Sequence, residues 1–154
     1  MANVCRSPTA EAVFRRQVAL AQLTTDVHCA SAGTHDFYAG SAPDGRARAA
    51  AMRRGYDMSR LRARQVSDAD FERFDMILGM DRQNIEVLAE RCPAPHVAKL
   101  QLLMQFAKNH QVLDVPDPYF GSPRGFELVL DMIEDACAQL LEHIRTDRLT
   151  TPGR

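Results

Sequence analysis

Asn3-Val4-Cys5-Arg6-Ser7-Pro8 opens a helix at the start of the 154-residue chain. Ser7 suits an N-cap, and Pro8 suits the first helical position, where its missing N–H costs nothing. Ala10, Val13, Phe14, Val18 and Ala21 then recur at helical spacing, which predicts a helix from about Pro8 to Ala21 with one apolar face. A helix N-terminus presents unpaired N–H groups and a partial positive charge. Arg6 adds a planar fork of donors suited to phosphate oxygens. The stretch therefore reads as the second half of a phosphate-binding loop. Taken alone, the same residues also read as a capped helix after an incidental Cys-Arg pair.

Further along, strands and helices alternate. Val27 to Ser31 reads as a short strand, followed by the turn-rich 33–43. Asp44 to Arg54 reads as a helix with Gly55 as its stop. Phe74 to Met80 is a buried-strand candidate, Asp81 to Glu90 a helix capped at its front, and Val97 to Leu103 another strand. Ser122 and Pro123 start a last helix whose stripe is Phe126, Val129, Leu130, Ile133, Cys137, Leu140, Leu141 and Ile144. From Thr146 the chain is polar and reads as a frayed tail. This alternation predicts an α/β domain with a parallel sheet, which binds ligands at the carboxyl ends of its strands.

Asp117-Pro118-Tyr119-Phe120-Gly121 places an acid beside two aromatics just before that last helix. Together with Cys5-Arg6-Ser7-Pro8-Thr9-Ala10-Glu11-Ala12, it resembles the low-molecular-weight protein tyrosine phosphatases. Ser31-Ala32-Gly33-Thr34, Pro43-Asp44-Gly45-Arg46-Ala47, Ala63-Arg64-Gln65, Asp70-Phe71, Phe74-Asp75 and Met80-Asp81 with Asn84 follow in the same order. The resemblance spans residues 1–145, leaving 146–154 as a polar C-terminal tail. It implies a three-layer α/β domain around a four-stranded parallel sheet whose first strand feeds the phosphate loop. Here that strand is missing, and the resemblance implies about ten further residues ahead of Met1, one strand plus a lead-in. It also implies a nucleophilic cysteine one position before Met1. Cys5, Cys29, Cys92 and Cys137 all lack an arginine six residues on, so none replaces it. Cys5 matches a second loop cysteine, a redox partner of the nucleophile.

The same resemblance assigns roles. Asn3, Val4, Cys5, Arg6 and Ser7 line the phosphate cradle, with Arg6 on two equatorial oxygens. Asn3 shapes the loop with support from Ser31, and Ser7 hydrogen-bonds the thiolate. Asp117 protonates the leaving phenolate and then deprotonates water, although before proline it also suits a plain turn. Phe37, Tyr119 and Phe120 form the walls for an aromatic ring. Asp81 and Asn84 fit a helix cap and first turn. Leu61 stands where many relatives carry a histidine that joins the asparagine–serine network.

Net charge is −1 without long runs of either sign, which excludes a nucleic-acid footprint. No apolar stretch is long enough to span a membrane, and no signal-peptide pattern opens the chain. Four cysteines without close pairing fit reduced thiols in the cytoplasm. The five histidines show no metal-ligand spacing, and the chemistry calls for no cofactor. The expected partner is a phosphotyrosine protein, a bacterial tyrosine kinase among the candidates by analogy. The expected function is phosphotyrosine hydrolysis through a cysteinyl-phosphate, inactive in the chain as written. A pseudophosphatase that binds phosphotyrosine without turnover is the alternative, and an arsenate reductase is a more distant one.

Overall fold

The computed structural model describes residues 2–150. Helix α1 spans Arg6–Leu20, α2 Gly45–Arg53, α3 Asp68–Arg73, α4 Arg82–Arg91 and α5 Pro123–Thr150. Strands β1 (Ile77–Gly79) and β2 (Leu100–Leu102) pair in parallel, Ile77 opposite Leu100 and Gly79 opposite Leu102. A single parallel bridge joins Gly33 to Gln65. No helix among the described residues is long and apolar enough to cross a membrane.

The sheet lies between two hydrophobic clusters, and the period of two along a strand puts successive β1 residues on opposite sides. Leu78 packs with the larger cluster, built on Val13, Phe14 and Val18 of α1 and Leu130, Ile133 and Leu140 of α5. Ile77 packs with Val66, Phe71 of α3 and Leu88 of α4. An α/β/α layering follows. All the stripe residues predicted for α5 are buried or packed against the core.

Several expected boundaries shift, each for a local reason. Helix α1 starts at Arg6, with Cys5 as its N-cap and no side-chain cap bond. Ser7 lies inside the helix and accepts a hydrogen bond from Asn3 Nδ2 at 2.7 Å instead of capping it. Asp44 caps α2, accepting from the Arg46 N–H at 2.8 Å, and Gly55 past its end takes φ +83°, the left-handed region that glycine enters freely. The expected strand 97–103 shortens to Leu100–Leu102 because a 3₁₀ turn occupies Ala94–Lys99. Pro95 within that turn has no N–H to give a ladder. Helix α3 was not foreseen, although Ser67 and Asp70 form a capping box at its start. Helix α5 runs on to Thr150, so 146–150 are helical instead of a frayed tail. Residues 151–154 of that expected tail lie outside the described residues.

Among the described residues the sheet has two strands, where three strands of a four-stranded sheet were expected. Val27–Ser31 forms no strand, because among the described residues nothing pairs with it: the backbone N–H groups of residues 28–32 donate to no other backbone group. A cavity of about 830 Å³ is lined by residues 26–34 and by 76–80.

The turn before α5 is fixed by one carboxylate. Asp135 is almost wholly buried at its side chain and accepts from the backbone N–H groups of Lys108, Asn109 and His110 at 2.9–3.1 Å and pairs with His110 Nδ1 at 2.9 Å. Burial opposes the charge, but His110 and the N–H donors outweigh it and hold the carboxyl below its ordinary pKa. The stabilisation is therefore complete above about pH 4 and lost as pH falls below it. Asp135→Ala is expected to lower unfolding free energy at pH 7 by about 1–3 kcal/mol. In urea melts, the gap from the parent should narrow below about pH 4.

Candidate active site

The N-terminus of α1 is where the charge-bearing groups converge. Asn3 sits at φ +60°, a left-handed conformation that asparagine tolerates better than most residues. Its side chain is tied at both ends. Nδ2 donates to Ser7 Oγ at 2.7 Å and Ser31 Oγ at 3.0 Å, and Oδ1 accepts from the Arg64 N–H at 3.1 Å. These bonds bend the chain so that the N–H groups of residues 3–7 donate to no acceptor among the described residues. Unspent donors ahead of a helix form a cradle for an anion.

Arg6 is 6% exposed and is fixed from below. Its Nη1 donates to Asp81 Oδ2 at 2.6 Å and to the Val115 carbonyl at 2.7 Å. Asp81 uses its other oxygen to accept from the Asn84 N–H at 2.7 Å, capping α4. The sequence marked Asp81 as a cap only. Its pairing with Arg6 crosses 75 positions and has no local signature. Glu11 was also missed as a support. It is buried, accepts from Ser31 Oγ at 2.6 Å and pairs with Arg15 at 2.6 Å, so it orients the serine that holds Asn3. Leu61 packs against the larger core cluster and adds no polar group to this network.

Asp117 is exposed and borders the same cavity as Asn3, Cys5 and Ser7. Its Oδ1 accepts from the Tyr119 N–H at 3.1 Å, the Asx turn that its place before proline suggests. The loop it sits on is clamped by Arg46. That guanidinium pairs with both oxygens of Asp44 and donates to the Tyr119 carbonyl at 2.8 Å. It also lies 5.5 Å from the Tyr119 ring centroid. The Asp44 N–H in turn donates to the Val4 carbonyl at 2.8 Å, so the acid's loop is tied to the cradle's rim. Arg46 holds the Asp44 carboxyl below its ordinary pKa.

Of the three rings expected as an aromatic wall, Tyr119 and Phe120 line the cavity. Tyr119 is half-buried, its ring edge-on to Phe120 at 4.8 Å. Phe120 and Phe37 are largely exposed, and Phe37 stacks edge-on with His35 at 5.2 Å. Tyr38, one position on, lines the cavity while remaining 43% exposed. On an irregular loop no periodicity says which of two adjacent rings turns inward.

Cys5 is buried, and its thiol is pushed up to about 12 by burial first and then by Asp44 and Asp117, against the opposing pull of Arg46 and Arg6. The thiolate is the reactive form, so Cys5 is no substitute nucleophile. The raised value also means its contribution to stability is whole below about pH 8.5 and declines as pH rises toward the folded value. In the native protein at pH 8, Cys5 should react with iodoacetamide at least about tenfold more slowly than the half-buried Cys92, and unfolding in urea should abolish the difference.

Known proteins resemble this chain in sequence and fold. The sequence matches the low molecular weight phosphotyrosine protein phosphatase family over residues 1–150. It is 39% identical over 146 residues to the low molecular weight protein-tyrosine-phosphatase of Streptomyces coelicolor, covering 93% of this chain and 88% of that protein. It is 35% identical over 144 residues to the human low molecular weight phosphotyrosine protein phosphatase, covering 92% and 90%. A crystal structure of protein tyrosine phosphatase from Entamoeba histolytica, with Hepes in its active site, superposes with a TM-score of 0.93 at 36% identity, covering 96% and 94%.

Proposed function

The chain belongs to the low molecular weight phosphotyrosine protein phosphatase family, protein tyrosine phosphatases that are phosphoric monoester hydrolases, and we propose that its half-loop receives the phosphoryl group of a phosphotyrosine protein. The observation that carries this is the cradle itself: five N–H groups at a helix start with no acceptor among the described residues, and a buried arginine anchored beside them. Arg6 holds equatorial oxygens with the guanidinium nitrogens that Asp81 and Val115 leave free, and its attraction grows as charge shifts onto them in the transition state. Tyr119, with Tyr38, flanks the phenyl ring, and Phe37 and Phe120 lie outermost, where the surrounding protein substrate meets the site.

The hydrolytic cycle needs a thiolate directly ahead of Met1. Its sulfur forms a bond to phosphorus as the bond from phosphorus to the phenolate oxygen breaks, and Asp117 gives that oxygen a proton. Asp117 then takes a proton from water, whose oxygen bonds phosphorus as the S–P bond breaks, releasing phosphate and restoring the thiolate. Cys5, buried and protonated, does not supply that thiolate. Free thiols fit a reducing cytoplasm, where a bacterial tyrosine kinase is a suitable phosphotyrosine partner.

The test is a chain carrying a short apolar strand and a cysteine joined directly ahead of Met1. It should hydrolyse p-nitrophenyl phosphate at least about a thousandfold faster than its Cys→Ser counterpart. In the same background, Asp117→Asn should lower kcat by roughly 10²–10⁴. Equal turnover by the unextended polypeptide, or a folded extended chain without activity, contradicts the proposal.

A further inference from the structure

Asp117 sits on a stretch with little else to hold it. Pro116 and Pro118 have no N–H to donate, and the Gly121 N–H closes back on the Pro118 carbonyl at 3.0 Å. Upstream, the Val115 N–H donates to the Met80 carbonyl and the Val115 carbonyl accepts from Arg6; downstream, α5 begins at Pro123. Between these anchors, among the described residues, the backbone of 116–121 shares one hydrogen bond with the rest of the chain. It runs from Arg46 Nη2 to the Tyr119 carbonyl. A loop so sparsely bonded opens locally at little cost once that bond is lost.

Tyr119 is also the residue that holds the acid, because its N–H donates to Asp117 Oδ1 at 3.1 Å. The two ends of one residue therefore link Arg46 to the Asp117 carboxyl. Arg46 is itself fixed from the other side. Its Nε and Nη2 meet Oδ1 and Oδ2 of Asp44 at 3.1 and 3.0 Å, and its guanidinium carbon lies 5.0 Å from the ring centroid of Phe126 on α5. Asp44 in turn donates its N–H to the Val4 carbonyl of the cradle. Val4, Asp44, Arg46, Tyr119 and Asp117 form a bonded series from the phosphate cradle to the acid. A planar guanidinium can grip a carboxylate, a carbonyl and a ring together, which a lysine ammonium cannot.

We propose that Arg46 is a positioning residue for proton transfer, which sets, through Tyr119, the distance from the Asp117 carboxyl to the phosphoryl group in the cradle. With Oδ1 held by the Tyr119 N–H, Oδ2 carries the proton that passes to the phenolate oxygen as its bond to phosphorus breaks. Arg46 touches neither the phosphoryl group nor the proton. The inference rests on the reading of Asp117 as general acid.

The test uses the chain with the cysteine joined ahead of Met1, assayed on phenyl phosphate and p-nitrophenyl phosphate. Arg46→Ala should lower kcat/KM for phenyl phosphate by about 10–100-fold, the scale of a misplaced catalytic group. The loss on p-nitrophenyl phosphate should be several times smaller, because the nitro-substituted phenolate leaves with less help from an acid. In the Asp117→Asn background, Arg46→Ala should cost less than about twofold, since no proton remains to be placed. Asp44→Asn, which keeps a capping side chain on α2 while weakening the grip on Arg46, should show the same substrate dependence with a smaller loss. In the 154-residue protein, Arg46→Ala should speed hydrogen exchange at the Gly121 amide at least about tenfold and leave Val115 unchanged. Equal losses on the two substrates, an undiminished loss in the Asp117→Asn background, or unchanged exchange at Gly121 would each overturn the proposal. An active parent with an unimpaired Arg46→Ala variant defeats this inference alone, whereas an inactive parent defeats the catalytic reading and the inference with it.

Discussion

The ion pair of Arg6 with Asp81 fixes the site to the sheet. Both side chains are largely withdrawn from water, where removing one member of such a pair costs roughly 3–5 kcal/mol by leaving the other charge unmet. Here each partner has a second anchor. Arg6 also donates to the Val115 carbonyl, and Asp81 also caps α4 at the end of β1. The guanidinium is thereby fixed relative to the start of α1, the end of β1 and the chain leading to Asp117. A phosphate site needs this placement, because an arginine free to search would lose most of its advantage to side-chain entropy.

Around that pair, a second layer shapes the loop. Asn3 spends both amide hydrogens on Ser7 and Ser31 and accepts from Arg64, and Glu11 holds Ser31. The cost of a left-handed asparagine is offset by these bonds, and the product is a run of N–H groups with nothing to bind inside the described chain. The same geometry keeps Cys5 buried and protonated, so the positive cradle acts on whatever anion enters it and not on a thiolate of its own.

What the sequence discloses depends on the range of the interaction. The α5 stripe, the Asp44 and Asp81 caps and the Gly55 stop are written in residues within one or two turns of each other, and the structure has them. Asn3 with Ser31 was legible through resemblance alone. Arg6 with Asp81, Glu11 with Ser31 and Arg46 with Tyr119 join distant segments without any periodic sign. Helix α3 is too short for a periodicity, although its Ser67–Asp70 box was available. The strand content was misjudged for a different reason. Apolar residues at 27–31 suit a strand, but a strand exists only when a neighbour takes its hydrogen bonds, and among the described residues no backbone group accepts from the N–H groups of 28–32.

The central claim is that residues 3–7 and Arg6 form a phosphoryl site already in this polypeptide. The most direct measurement is a titration of the ¹⁵N-labelled 154-residue protein with phenylphosphonate, followed by amide chemical shifts. Saturable shifts centred on Asn3, Val4, Cys5, Arg6 and Ser7, and lost in Arg6→Ala, are the predicted result. A folded spectrum in which those amides do not move, or in which the shifts gather elsewhere, would contradict it.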